Sequence, residues 1–545
     1  MRKLSPTCAI ILTAGQATRI SPVTKGLPKA LVRIGGRPVL LTIMTRLIQQ
    51  DIRHFILVIS PHSQALIDGQ LKRSFATSNV KVEIVEQLEP LGPGHALACA
   101  TQAIGNAPIL VILADTLFDE ELPLEGDWIG VAPVNSGEKW CLVESTPEGL
   151  VTDFHDKSGN PCQSRDAAVG LYHFSDAVLL RHAANLALSK DLIRGEHQIS
   201  SILREYGHIR PFQTRAVNTW MDCGDLDSLI QARRNTFRTR GFNRIVLDKQ
   251  GILTKSSSES KFADELRWYE ALSQEQRLFV PRIVKQNIQE LYVRMEHLDM
   301  PTLAELYLYD DLSPIQLAQI CSDLLNTMQN VFWPLVGEAS TKSLVDRCRS
   351  MYIEKMIARF QQWQEVEAFR DLSEIQLNGE WVMGPRSALA YLTSELSKVA
   401  TEPVAGFIHG DFHFSNILYS LHSGCFRLID PRGNFAGPAK AGGDIRYDIA
   451  KLRHSYHGFF DAIIHDLFIV EKHQNKSFSL SIFTKRSLFI PIIDGILDDL
   501  GFDLNSIMLI EVSLFISMLP LHSDSPKRQL AFLLQALRLL TACVP

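Results

Sequence analysis

A chain of 545 residues is too long for one hydrophobic core and predicts about three to four compact units of roughly 100 to 200 residues each. Apolar residues at 46%, charged residues at 21% and a net charge of -5 fit a soluble globular protein and supply no basic surplus for nucleic acid. The nine cysteines are scattered and odd in number with no CxxC pair, which indicates neither a zinc site nor a disulfide framework and points to the reducing cytoplasm.

The N-terminal MRKLSPTCAIILTAG has only a short apolar run that leads straight into a glycine turn, which reads as a buried strand and not a signal peptide. CAIIL (8–12), the helical pattern LLTIMTRLIQQ and the apolar run FILVI (55–59) make a βαβ opening. In the connecting loop, Ala14, Gly15 and the small Ala17 let backbone approach a ligand closely. Thr18 adds a hydroxyl, and Arg19 and Lys29 bring two cations, a combination suited to a triphosphate. ILVILAD (109–115) is a further buried strand that delivers Asp115 to the carboxyl end of the sheet, where ligands of open α/β sheets gather. WMDCGD (220–225) supplies Asp222, and Asp115 with Asp222 meets the need of a magnesium ion bridging two phosphate groups.

This half resembles the sugar-phosphate nucleotidylyltransferases, whose opening signature runs approximately LAAGxGTRLxPLTxxxPKxLxxxxGxPxL. Leu12, Ala14, Gly15, Thr18, Arg19, Pro22, Thr24, Pro28, Lys29, Leu31, Gly36, Pro38 and Leu40 stand where that family has them, and Ala17 stands where it has glycine. The resemblance, over about residues 7 to 232, implies a Rossmann-like α/β domain with Arg19 and Lys29 catalytic and Asp115 and Asp222 on magnesium. In VEQLEPLGPGHALACA (85–100) it implies that Gln87 reads a base edge and that Gly92 and Gly94 permit close approach. It also implies sugar or phosphate contacts from Asp156, Lys157, Gly170, Arg194 and Glu196.

ARRNTFRTRGFNR (232–244) carries five arginines and no sustained apolar pattern, which reads as a solvated linker and sets domains of 1–238 and 239–545. RIVLDKQGILTKSSS then reads as a hairpin turning at AspLysGlnGly, followed by a helix in SKFADELRWYEAL. The strand residue Lys255 precedes the helical Glu265 by ten positions, a pair able to orient ATP phosphates. Segments VPRIV and ELYVRMEHLDM read as strands, and the remainder reads as mostly helical. Ile507 to Leu521 is the most apolar later run; with Glu511 inside it, it falls short of a membrane span and reads as a buried helix.

FIHGDFHFSNILYSLHSGCFRLIDPRG (407–433) brings Asp411, Asn416 and Asp430 to strand ends, giving one carboxylate for an alcohol's proton and two oxygen ligands for magnesium. It resembles the catalytic and metal-binding loops of the aminoglycoside phosphotransferase and choline kinase family, relatives of the protein kinases. That implies an α+β bilobal kinase-like domain with an N-lobe over about 239–298 and a C-lobe over about 299–545. In GGDIRYDIAKLRHSYHG (442–458), Asp444 and Asp448 match the family's GDPxYDLA segment, in which an aspartate supports the catalytic loop.

Together the resemblances imply a bifunctional enzyme. ATP phosphorylates a sugar or alcohol, and a second NTP converts the phosphate to an NDP-activated compound for cell-surface polysaccharide, with magnesium in both domains. A choline-type kinase joined to a cytidylyltransferase and an active kinase with a regulatory nucleotide-binding half are the alternatives. Small molecules and nucleotides are the partners. The alcohol, the base and the oligomeric state, a homo-oligomer included, stay open.

Overall fold

The computed structural model describes residues 7–15, 27–75, 79–135, 137–156, 164–190, 192–193, 195–236, 243–310, 312–334, 341–363, 367–437, 442–474, 476–483 and 486–542. The chain divides into two compact units, one formed by 1–72 with 79–236 and the other by 73–78 with 237–545.

The first unit is built on a mixed sheet. Its path runs Val151–Asp156, Cys141–Ser145, Asp166–Phe174, Ile109–Leu113, Cys8–Leu12, His54–Ile59 and Lys81–Glu86. The last four are parallel, with Ile10 in register with both Ile56 and Val111. Strand Cys8–Leu12 is buried along its whole length, as a parallel strand covered on both faces must be, which is why its sequence is a continuous apolar run. Helices Pro93–Ala100, Ala177–Leu188 and Ile199–Gly207 contribute Leu97, Leu180 and Ile202 to the same core as Ile10 and Val111. Full burial of each such side chain is worth about 1.5–3 kcal/mol. Asp166–Phe174 runs antiparallel to Ile109–Leu113 on one side and to Trp128–Pro133 on the other, and slips register against the latter between Ala168 and Tyr172, where Gly170 takes φ +82°.

Helix Leu226–Thr236 extends into the arginine-rich stretch expected as linker. Leu229 and Ala232 are buried on it and Arg233 donates to the Arg33 carbonyl, so apolar spacing at i, i+3 overrides the charge run.

The second unit opens with an antiparallel sheet ordered Asn243–Leu247, Ile252–Ser257, Tyr292–Glu296, Ile283–Asn287, against which helix Phe262–Ala271 follows in sequence. The first hairpin closes on Asp248, whose carboxylate accepts from the amides of Gln250 and Ile252, with Gly251 at φ +78°. After residue 300 helices dominate, but a second four-stranded sheet, Glu380–Met383, Glu374–Leu377, Ser477–Ile482, Phe468–Lys472, stands where the sequence predicted helices. Its strands are four to six residues long and come from two distant hairpins, and Glu380–Met383 and Phe468–Lys472 do not alternate apolar with polar side chains, so local pattern alone is weak there.

The apolar run expected to fall short of a membrane span is longer than that reading allowed. Helix Leu504–Met518 continues through a tight turn to His522, 19 residues, long and apolar enough by length and composition to cross a membrane. It carries the fully buried Glu511, which pairs with Arg453 at 2.9 Å and His457 at 3.0 Å, and its Ile507, Val512 and Phe515 are buried inside the unit.

Candidate active sites

In the first unit the strand Ile109–Leu113 ends one residue before Ala114 and Asp115. Lys29 stands in the turn Lys29–Leu31, which Ala30 and Leu31 pin into the core, and its ammonium pairs with Asp115. Asp222 arrives on Met221–Asp222, antiparallel to Thr116–Leu117, with Asp222 opposite Thr116; the Cys223 amide donates to the Asp115 carbonyl at 2.9 Å. Both carboxylates border one space, because a Cβ on Gly224 would lie 3.0 Å from Asp222 Oδ1 and 3.2 Å from Asp115 Oδ2. Burial and then the Asp115 charge push the Asp222 carboxyl up to about 6, against the pull of Lys29. Two converging carboxylates with one cation are a donor set that fits magnesium, which takes one or two carboxylates and completes its shell from phosphates and water.

Ala14 is buried just past the first strand, and among the described residues a Cβ at Gly15 would meet nothing within 4 Å. Thr18 and Arg19, like Ala17, Lys157 and Arg194, lie outside the described residues.

Several residues expected at the ligand take up local work. Gln87 is buried, and its amide nitrogen reaches the Gly92 carbonyl and His95 Nδ1, each at 3.0 Å, so it braces the loop that was expected to present it to a base. Gly92 at φ +101° and Gly94 permit a close approach of the chain's own segment. A Cβ on either would stand 2.6–2.8 Å from atoms of Glu196, His197 or Gln198, and the Gly94 amide donates to the His197 carbonyl at 2.7 Å. Glu196 is exposed beside them and accepts from Gln198 at 3.0 Å. Gly170 is buried, and a Cβ there would stand 2.8 Å from Thr116 Oγ1 and 2.9 Å from Leu113, the residues that flank Ala114 and Asp115. Asp156 accepts from Ser200 and lies 3.9 Å from Arg204.

In the second unit Lys255 is buried and three-way bonded. Its ammonium reaches both Glu265 oxygens at 2.9 and 2.8 Å and Asp430 Oδ1 at 2.9 Å. Burial works against its charge, but Asp430 and Glu265 outweigh burial and hold the pKa above the ordinary lysine value. Burial also raises the Glu265 carboxyl to about 7, against the pull of Lys255. Asp430 follows the strand Phe426–Leu428 with a left-handed backbone, φ +54°, a conformation aspartate tolerates better than most side chains. Gly433, φ +66°, lets the loop press on the glutamate-bearing helix: a Cβ there would stand 2.0 Å from the Asp264 carbonyl oxygen.

Asp411 accepts from Lys451 at 2.8 Å and from Asn416 Nδ2 at 3.0 Å, with His413 at 3.4 Å. Burial opposes its charge, yet Lys451 and His413 hold its pKa well below the usual carboxylate range. The loop that carries it follows a two-residue strand, Ala405–Gly406, paired with Gly443–Asp444. Asp448 is fully buried and accepts from the amides of His409 at 2.9 Å and Gly410 at 2.8 Å and from the Trp333 indole at 3.2 Å. Asp444 instead caps helix Ile445–Tyr456 and pairs with Arg446. His409 is neutral at physiological pH, its pKa lowered by burial to about 4, and bonds the Ile429 carbonyl at 3.0 Å, tying the two loops together. The sequence reading passed over Lys451. It stands at i+3 from Asp448 and i+4 from Tyr447, and that helical spacing would have placed it on the face turned toward Asp411.

Residues 8–239 match the family model described as nucleotidyl transferase. Among similar proteins, a glucose-1-phosphate thymidylyltransferase of Xanthomonas campestris pv. campestris is 27% identical over 292 residues, 50% of this chain and 91% of that protein. A mannose-1-phosphate guanylyltransferase catalytic subunit beta of Danio rerio is 28% identical over 229 residues, 40% of this chain and 61% of its own. A solved UDP-glucose pyrophosphorylase from Acinetobacter baumanii is 20% identical with a TM-score of 0.37, covering 43% of this chain and 94% of that one. With its parallel sheet, its Lys29 turn and its matched sequence, the N-terminal unit is a nucleotidyl transferase domain.

Proposed function

We propose that the chain phosphorylates a sugar or related alcohol with ATP in its second unit and converts the phosphate to an NDP derivative in its first. The observation that carries this reading is that each unit brings a lysine against carboxylate oxygens, one of them just past the end of a strand, Asp115 in the first and Asp430 in the second. Asp115 and Asp222 stand with Lys29 in one, and Asp430 and Glu265 stand with Lys255 in the other. The relatives named for glucose 1-phosphate and mannose 1-phosphate support a hexose phosphate as the substrate of the first unit.

In the nucleotidyl transfer, an oxygen of the sugar phosphate attacks the α-phosphorus of the NTP as the bond to pyrophosphate breaks. Lys29, joined by the expected Arg19, neutralises charge on the departing pyrophosphate. No protein nucleophile is needed. In the phosphorylation, Lys255 steadies the ATP phosphates and is itself held by Glu265, while Asp411 orients the acceptor hydroxyl and receives its proton as the γ-phosphoryl group moves. Asp115 and Asp222 in one unit, and Asn416 and Asp430 in the other, would hold magnesium, which screens phosphate charge when bound. A purely regulatory first unit would have no need for the Asp115 and Asp222 pair.

The test is full-length protein with magnesium, ATP, each NTP and a sugar panel, with products read by mass spectrometry. NDP-sugar formed from a free sugar supports the reading. Pyrophosphate release from sugar 1-phosphates with no ATP-dependent phosphorylation of any sugar or alcohol would remove the kinase half.

A further inference from the structure

Beside Asp411 the second unit gathers more positive charge than it balances. Lys451 pairs with Asp411 at 2.8 Å. One turn earlier on the same helix, the Tyr447 hydroxyl accepts from Arg432 at 3.2 Å, and the Tyr447 ring stacks on Tyr352 with centroids 6.2 Å apart. Tyr352 lies in a π-helical turn, Ser350–Glu354, that runs into helix Lys355–Gln362, and on that helix Lys355 and, one turn on, Arg359 come within reach of the Arg432 charge, Lys355 also of Lys451 and Asp411.

The remaining polar contacts of these cations are neutral. Arg359 donates to the Ser517 carbonyl at 2.8 Å, and Arg432 donates to the Asn434 carbonyl at 2.9 Å and to Tyr447. Among the described residues no carboxylate pairs with Lys355, Arg359 or Arg432. The Lys355 ammonium is half-buried, and burial followed by the charges of Arg432, Arg359 and Lys451 depresses its pKa, with Asp411 pulling the other way. Half-buried like charges without counter-ions oppose folding, and a fold keeps them where a ligand supplies the opposite charge. Guanidinium and ammonium groups side by side suit an oxyanion.

We propose that the acceptor phosphorylated in the second unit is an anion, an alcohol or sugar carrying a carboxylate or a phosphate, whose charged group sits among Lys355, Arg359 and Arg432 while its hydroxyl meets Asp411. This rests on the kinase reading of that unit. It sets the site apart from one for a cationic alcohol such as choline, which these groups would repel.

The experiment compares matched acceptors on the full-length protein with ATP and magnesium: glucose, glucuronate and glucose 6-phosphate, then glycerol, glycerate and glycerol 3-phosphate. In at least one series the anionic members are expected to exceed the neutral one in kcat/KM by about 100-fold, carboxylate against phosphate deciding which oxyanion is used. Lys355→Met should raise the KM for that acceptor about tenfold with the KM for ATP moving less than about twofold, and Lys355→Arg should restore it. A neutral acceptor preferred in both series, or a Lys355→Met effect on ATP in place of the acceptor, overturns the proposal. Melting curves with sulfate need no turnover. Sulfate should stabilise the wild type more than Lys355→Met, and Lys355→Met without sulfate should melt higher than the wild type; equal sulfate responses overturn the proposal. Absence of ATP binding by a fluorescent ATP analogue would instead defeat the kinase reading, whatever the sulfate result.

Discussion

The two sites handle charge in opposite ways. In the first unit Asp115 and Asp222 border one space with Lys29 paired to Asp115, and Asp222 is driven up to about 6 by burial and its neighbour. In the second, Lys255 is already saturated by Glu265 and Asp430, Asp411 is held by Lys451, and the surplus around Asp411 is positive. Among the described residues the first site holds more carboxylate than cation and the second more cation than carboxylate. The contrast teaches that a carboxylate count alone does not describe a phosphate site; what matters is which charges the fold leaves for substrates to balance.

The largest expected effect separates the units outright. Asp411→Asn keeps shape but cannot take the hydroxyl proton, so ATP-dependent phosphorylation should fall by about 10² to 10⁴ while pyrophosphate release from a supplied sugar phosphate holds at the wild-type rate. A mutant with wild-type phosphorylation would remove Asp411 from the role of base. Asp115→Ala or Asp222→Ala should do the converse, abolishing pyrophosphate release and leaving ADP formation unchanged, because the magnesium site loses a carboxylate. Simultaneous loss of both activities would point to misfolding or to one shared site.

A smaller effect tests the packing beneath the second site. Gly433→Ala must place a methyl 2.0 Å from the Asp264 carbonyl at φ +66°, and should destabilise the second unit by about 2 kcal/mol or more. Denaturant unfolding measures it, and an unchanged midpoint would show that the loop does not press on that helix.

These predictions also show how far the chain could be read unaided. The strand end carrying Asp115 was visible because a buried parallel strand is a continuous apolar run, and the ten-residue step from Lys255 to Glu265 put that pair on a strand and the next helix. The roles of Gln87, Gly92 and Gly170 were not visible. Gly92 packs against Glu196 and His197 and Gly170 against Leu113 and Thr116, segments far along the chain, while Gln87 turns back on its own loop at Gly92 and His95. The sheet joining Glu374–Leu377 to Ser477–Ile482 is lost for the same reason, since its partners are about a hundred residues apart. Lys451 was legible in principle from helical spacing, whereas the surplus of positive charge required three separate elements to meet.

The gentlest prediction concerns pH. A carboxylate raised from about 3.9 toward 6 is favoured in its protonated form by the fold. In metal-free protein its contribution to stability is therefore fully present below about pH 4 and is lost as pH rises through about 6. Magnesium competes with that proton, so its apparent affinity in pyrophosphate release should weaken as pH falls through about 6 and level off above it. Titration of activity against magnesium at pH 5.5 and 7.5 checks the sign, and equal affinities at both would show that the two carboxylates do not share the ion.

The most direct test of the two-step account is a mass-spectrometric time course of full-length Asp222→Ala with a free sugar or sugar acid, ATP, a second NTP and magnesium. The account predicts that the phosphorylated sugar accumulates with no NDP derivative, whereas the wild type passes through it to the NDP product. An Asp222→Ala protein that makes the NDP derivative, or a wild type that forms no sugar phosphate from any acceptor, would contradict it.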